Sequence, residues 1–186
     1  KPARRARSIR PTQIETKRLL LRPFAAADVP DYTAIRAKPH VVQYLAAGPA
    51  AAAEAATIAT ARIADFEAMW AGSPGYGPWA AIEKSSGQLV GHIGLRVFPE
   101  VGGATEVLYM LDDGAWGKGY ATEGATAARD YGFEHLELKQ LVGLTHPDNL
   151  ASQKVLEKIG MQRQADPLVV HGIAAVFFTL HPRKGL

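Results

Sequence analysis

The chain has 186 residues, 47% of them apolar and 21% charged, with no cysteine and a formal net charge of +3. That is the balance of one globular domain able to bury a core, and no run approaches the roughly eighteen consecutive apolar residues of a membrane helix. The lack of cysteine excludes disulfides, thiolate metal sites and a thiol nucleophile. Lys1, Arg4, Arg5, Arg7 and Arg10 put five positive charges and no negative ones into the first ten residues, so the remainder is mildly acidic. Residues 1–13 are expected as a basic flexible tail and residues 14–186 as a single domain. No apolar stretch follows the arginines as it would in a secretory signal, and a cytoplasmic location is the expectation.

In chain order, Arg18 to Arg22 is a short apolar run stopped by Pro23 and suits a strand. Asp28 is placed to cap a helix that tolerates Pro30 in its first turn and is closed by Pro39. The alanine-rich stretch from Ala46 to Ala56 leads into a longer helix. There Ala59, Ile63, Phe66 and Trp70 recur at helical spacing, and Gly72 to Gly75 ends it. Trp79 to Ile82 and Leu89 to Val97 flank the turn signal Lys84-Ser85-Ser86-Gly87 and predict a hairpin. A third run, Thr105 to Leu111, is followed by a glycine-rich turn and a helix from about Tyr120 to Glu134. Leu141 to Leu144 reads as a strand, and Leu150 to Ile159 as a helix ended by Gly160. Leu168 to Ile173 and Ala174 to Leu180 read as a final strand pair. An antiparallel meander followed by β-α-β-α-β predicts a mixed α/β sheet.

The stretch from Leu108 through Trp116-Gly117-Lys118-Gly119-Tyr120-Ala121 to Glu123 carries the chemistry. It is a strand, a tight turn and a helix. Glycine lets the backbone bend sharply and approach a ligand, and the unpaired amides of a first helical turn attract anions. A pyrophosphate suits such a place. A nucleotide P-loop needs Ser or Thr after Gly-Lys, and Gly119 stands there. The dinucleotide fingerprint needs a small residue where Thr122 stands, and no acidic partner follows at the right distance. Both motifs also open a parallel unit, whereas this one follows a meander. A ligand-free structural turn is the plainer alternative.

These residues resemble the acetyl-CoA motif of the GNAT acetyltransferases, Q/R-x-x-G-x-G/A, with Trp116 in the first place and Gly119 and Ala121 in the last two. The Trp-Gly-Lys-Gly-Tyr-Ala-Thr-Glu form is similar to the branch containing the ribosomal-protein alanine N-acetyltransferases. Three more stretches agree with that branch: Thr16 to Pro23, Gly87 to Gly94, and Thr145 to Met161. The resemblance spans roughly residues 14–180 and implies a GNAT-type fold. In that fold a mostly antiparallel sheet carries two splayed parallel strands and is flanked by helices.

By this resemblance acetyl-CoA lies between the strands Thr105 to Leu111 and Leu141 to Leu144. Its pantetheine arm would pair with backbone at Tyr109, Met110 and Leu111 like an added strand. An amide near Met110 or Leu111 would serve the thioester oxygen, a kind of donor worth about 3–4 kcal/mol. The pyrophosphate would sit on Trp116, Gly117, Lys118, Gly119, Tyr120 and Ala121. Lys118 is either a charge partner or solvated, and Lys154 is a weaker candidate for the 3′-phosphate.

An amine with a pKa of about 10 must lose a proton to attack, so a general base is expected. Glu106, on the cleft strand, is the first candidate, with a sheet ion pair as the alternative. His92 and His171 are weaker candidates, and His146 belongs to its loop. Many relatives protonate the leaving thiolate with a tyrosine seven residues after the Asn of the second motif, where this chain has Leu156. In the ribosomal-protein branch a serine three residues after that Asn is placed for the task, which marks Asn149 and Ser152. Both would equally cap a helix.

No metal is implied. The acceptor is expected to be a primary amine, either a protein N-terminus or a small molecule. A homodimer is compatible with a chain of this size, while membrane and nucleic-acid partners are not expected of the body. A non-catalytic acyl-CoA sensor is the competing reading.

Overall fold

The computed structural model describes residues 12–182, so most of the expected tail lies outside the described residues. The elements are β1 (Ile14–Glu15), β2 (Leu19–Pro23), α1 (Val29–Arg36), α2 (Pro39–Val42), α3 (Ala55–Gly72), β3 (Pro78–Glu83) and β4 (Leu89–Phe98). They continue with β5 (Ala104–Leu111), α4 (Tyr120–Glu134), β6 (Leu141–Thr145), α5 (Leu150–Lys158), β7 (Gln162–Arg163), β8 (Leu168–Val170) and β9 (Ile173–Leu180). They form one nine-stranded mixed sheet of order β1-β2-β3-β4-β5-β6-β9-β7, with β8 paired to β9. Every pairing is antiparallel except β5 with β6. The mixed sheet is what the sequence pattern predicts, and its single parallel pair, β5 with β6, is what the family resemblance implies.

The alternation of side chains along β5 feeds two cores, because successive strand residues face opposite sides. Val107 and Leu111 join Leu95, Ala125, Ala128, Tyr131 and Leu156 on the side covered by α4 and α5. Met110 joins Tyr32, Ile35, Ile63 and Phe66 on the side covered by α1 and α3. The spacing read in α3 is real, since Ala59, Ile63, Phe66 and Trp70 are all buried. A bulge between β3 and β4 is held at Gly91, whose φ is +142°. A Cβ there would lie 2.0 Å from the Met110 carbonyl oxygen, so only glycine fits.

Four local expectations need correction. Asp28 makes no side-chain cap to α1; its carboxylate accepts from Ala25 N at 2.9 Å and pairs with Arg22 at 2.8 Å instead. Pro39 does not close a helix but opens α2 in its first turn, where a missing N–H costs nothing. The final hairpin turns at His171-Gly172, both at positive φ (50° and 77°), which suits a two-residue turn. His171 is therefore an exposed turn residue, not a strand residue. The two-residue strands β1 and β7 are too short for any alternation to announce them.

Candidate active site

The glycine-rich turn begins with one turn of 3-10 helix, Asp113–Ala115, in which Asp112 accepts from Gly114 N at 3.2 Å. Gly117 and Gly119 then adopt left-handed φ values of 71° and 79°, which favour glycine. The first backbone bond of α4 runs from Glu123 N to Gly119 O at 3.0 Å. The amides of Tyr120, Ala121 and Thr122 precede it and form the donor end of the helix. Trp116, in the place of the motif's Gln or Arg, is half exposed and donates from Nε1 to Leu111 O at 2.9 Å. Its indole thus ties the turn to the end of β5. Lys118 sits 3.7 Å from Glu83 and over the Tyr120 ring, and Tyr120 donates to Glu83 at 2.6 Å.

Two braces hold this turn, and the sequence reading missed both. Glu123 Oε1 accepts from Thr16 Oγ1 and Arg18 N, and Oε2 accepts from Arg18 Nε, all at 2.7 Å. Arg18 also donates to Lys118 O at 2.8 Å and lies over the Tyr120 ring. Burial raises the Glu123 carboxyl, yet the Thr16 hydroxyl, the Arg18 amide and the Arg18 guanidinium together hold it below its ordinary value. The second brace joins Lys38 to Asp112 at 2.6 Å and to Asp113, with His40 2.8 Å from Asp113. Lys38 and then His40 hold the Asp113 carboxyl well below the usual carboxylate range.

The cleft itself comes from register. β5 and β6 pair only at Thr105 with Leu141 and at Glu106 with Val142. Beyond that point β5 stays with β4 as far as Leu111, and β6 stays with β9 as far as Thr145. Residues 107–111 and 143–145 therefore diverge as the two sides of a wedge. A cavity of about 510 Å³ occupies this region, reaching Glu106, Tyr109, Ser152, His92, His146 and Arg36. Across the wedge the Tyr109 hydroxyl lies 3.0 Å from both the Ser152 carbonyl oxygen and Ser152 Oγ. Burial pushes the Tyr109 phenol up, so it stays a neutral donor. Asn149 Oδ1 accepts from Ser152 N at 3.1 Å, which is a helix cap. His146 stacks on Tyr44 and accepts from Asp148 N, in keeping with a loop role.

On the face toward α1 and α3, register sets His92 opposite Met110 and Arg96 opposite Glu106. Arg96 Nε donates to Glu106 Oε2 at 2.8 Å. Burial pushes the Glu106 carboxyl up despite that partner. His92 is buried against Phe66, with Nδ1 2.9 Å from the Tyr32 hydroxyl. Burial, then Arg36, Arg96 and Arg62, bring it down to about 3, so it is neutral at any working pH.

The expected site residues thus fall into groups. Tyr109, Met110 and Leu111 lie on the diverging part of β5, and Trp116 to Ala121 on the turn at its end. Ser152, on α5, meets Tyr109 and lines the same cavity as Glu106, whereas Asn149 caps α5 and is not among the residues lining that cavity. Lys154 is exposed on α5. Among the described residues, no group of three or more His, Cys, Asp or Glu is arranged for a metal ion, and no helix is long and apolar enough to cross a membrane.

The chain matches the family described as Acetyltransferase (GNAT) domain over residues 18–162. The uncharacterized N-acetyltransferase YnaD of Bacillus subtilis is 30% identical over 156 residues, covering 81% of this chain and 83% of that relative. An acetyltransferase structure from Agrobacterium tumefaciens superposes with a TM-score of 0.76 at 29% identity, covering 97% of this chain and all of that one. The ribosomal-protein-S5-alanine acetyltransferase of Vibrio fischeri shares the fold (TM-score 0.67) at 18% identity, over 91% of this chain and 96% of that one. The chain spans about half the length of the first curated relatives it matches, 52% and 48%. The glycine turn, the wedge and the matched 18–162 span agree, and this chain belongs to the GNAT acetyltransferase family.

Proposed function

We propose that the protein is an N-acetyltransferase that moves an acetyl group from acetyl-CoA, the co-substrate of its family, to a primary amine by direct attack. The observation that carries the reading is the wedge ending in an anion-binding turn: a strand edge suited to an extended amide-bearing arm, and beyond it a helix start suited to a pyrophosphate. In this reading backbone at Tyr109, Met110 and Leu111 takes the pantetheine, and Trp116 to Ala121 take the phosphates, with Lys118 and Lys154 adding charge. The amine nitrogen attacks the thioester carbon while Glu106, fixed by Arg96, receives its proton. Collapse breaks the C–S bond, and the thiolate takes a proton from the Ser152 hydroxyl as solvent water returns one to the serine oxygen.

The family tyrosine is replaced by Leu156, which is 1% exposed and committed to the core. A phenol still reaches that end of the cleft, since Tyr109 is bonded to Ser152. A thiol pKa of about 8.5 makes the proton donor a modest requirement, so Ser152→Ala is expected to cost about tenfold in kcat rather than the larger losses of a demanding general acid. The acceptor is a protein N-terminus or a small amine, the location cytoplasmic, and a homodimer is compatible with the fold.

The test is thiol release from acetyl-CoA against peptides and small amines, with acetyl-CoA binding followed calorimetrically. Amine-dependent release supports the transferase. Binding without release on any amine would favour the sensor reading, for which the loss of the family tyrosine is the motivating observation. Absence of binding would defeat both.

A further inference from the structure

Arg36 is the one strongly buried cation that has no anionic partner among the described residues. It sits in the last turn of α1 at 6% exposure. Its Nε is buried without a hydrogen-bond partner. Its Nη1 has only the Tyr32 hydroxyl at 3.4 Å and the Met110 sulfur at 3.7 Å, both at the weak end of the range. The other buried charges are treated differently: Asp28 is paired with Arg22, and Glu106 with Arg96, each at 2.8 Å. The guanidinium also lies over the Tyr32 ring, 5.6 Å from its centroid, but a ring is no counter-ion; burying a cation without one is expensive, and an anion entering the cavity would relieve that cost.

The position of Arg36 says which ligand. It lines the wedge cavity together with Arg62, Arg96 and Glu106. Glu106 is the only carboxylate among those lining residues, against three guanidinium groups, and it is already bonded to Arg96. Arg62 has only Asp65, at 4.0 Å and more than half exposed. The cavity therefore carries surplus positive charge on the face where Glu106 and His92 point, and that face is the acceptor side in the proposed reaction. A planar guanidinium fork matches a carboxylate in a bidentate way.

We infer that the acceptor is an amine that also carries a carboxylate, and that Arg36 is the residue that holds that carboxylate. This deepens the proposed transferase reading and rests on it. Arg36 acts in substrate choice rather than in the chemistry, because the reaction needs nothing from it beyond orientation of the amine.

The test uses the full chain and matched amines: ω-amino carboxylates of rising length, each beside its own neutral amide, and peptides beginning Ala-Glu beside Ala-Gln. At the best length the carboxylate is expected to exceed its amide by about tenfold or more in kcat/KM, the size of one charge-assisted contact. Arg36→Met should erase that preference while leaving turnover of the amides within about twofold. The variant should also melt no lower than the parent, since it removes an unpaired buried charge. If only the peptides show the preference, the carboxylate belongs to an acidic side chain rather than to a small amino acid.

Equal turnover of acid and amide by the parent, unchanged in Arg36→Met, would overturn the inference and leave the transferase standing. Should no amine release thiol, the transferase reading fails. The carboxylate site is then judged by calorimetric binding of hexanoate against hexanamide. Tighter hexanoate binding that Arg36→Met abolishes sustains it, and equal or absent binding refutes it.

Discussion

Replacing Glu123 with Gln tests whether the glycine turn depends on its brace to β2. The substitution keeps Oε1, so Thr16 Oγ1 and Arg18 N retain their acceptor. It puts an NH₂ where Oε2 meets Arg18 Nε and Nη2, both at 2.7 Å, so two donors face a third. Hydrogen bonds to a charged group contribute about 1.5–3 kcal/mol each. The Arg18 side chain is 41% exposed, which calls for a discount toward the surface value. A net loss of about 2 kcal/mol is expected, or roughly 4–8 °C in melting temperature for a chain of this size. Acetyl-CoA affinity should fall several-fold as well, because Arg18 also holds Lys118 O.

The difference should depend on pH in a definite direction. The Glu123 carboxyl is held below its unfolded value of about 4.3. Its contribution is thus complete above that value and fades as pH falls through the folded one. Melting curves of parent, Glu123→Gln, Arg18→Met and the double variant, each with a calorimetric titration of acetyl-CoA, complete the assay. Since the two residues form one unit, the double variant should lose little more than the worse single. A melting temperature within about 1 °C of the parent with unchanged affinity, or strict additivity, would refute the brace.

Other outcomes follow from the same geometry. Because burial raises the Glu106 carboxyl, kcat/KM should decline on the acid side through a pKa above the ordinary value of about 4.3. Glu106→Gln should erase that limb and lower kcat by about a hundredfold or more; a normal limb in the variant would remove Glu106 as base. His92, down to about 3 when folded against about 6.5 unfolded, contributes stability that is complete above 6.5 and lost as pH falls toward 3. Unfolding free energies measured by urea between those limits should slope by up to about 1.4 kcal/mol per pH unit, and His92→Gln should flatten the slope. An unaltered slope would contradict a neutral buried His92. Gly91→Ala sets a Cβ 2.0 Å from Met110 O at a φ of +142°, which should cost about 3 kcal/mol or more. Soluble protein with a near-parental melt would show that the bulge can relax.

Several parts of this architecture are readable in the chain because the physics is local. Gly117 and Gly119 announce a turn through the φ values they permit, and Ala59 to Trp70 announce a helix through their spacing. Val107 to Leu111 is a short continuous apolar run between turn signals, as a strand covered on both faces should be. Parts that depend on distant residues leave no such trace. Arg18 and Glu123 stand 105 positions apart, and nothing in either neighbourhood tells which charge will meet which. Tyr109 is recognisable as a strand residue, but its hydroxyl finds Ser152 only through the wedge. Arg36 reads as an ordinary helix-terminal arginine until burial removes its solvent. His171 resists prediction for another reason: a non-glycine residue at positive φ leaves no mark that its neighbours would share.

A slit in the middle of a sheet adds two inner strand edges to the outer ones of β1, β7 and β8. Outer edges are usually blunted by charge, proline or brevity, and here β1 and β7 are two residues each. The inner edges are longer, since β5 runs to Leu111 but pairs with β6 only at Thr105 and Glu106. Their safeguard is convergence: the two walls meet as a hydrogen-bonded pair at Glu106 and Val142, and Tyr109 crosses to Ser152. A stray strand entering from a neighbouring molecule would run out of room within a few residues, too few for stable pairing. A narrow flexible arm has no such difficulty. The wedge proposed to admit the donor thus also keeps the open sheet from templating its own aggregation.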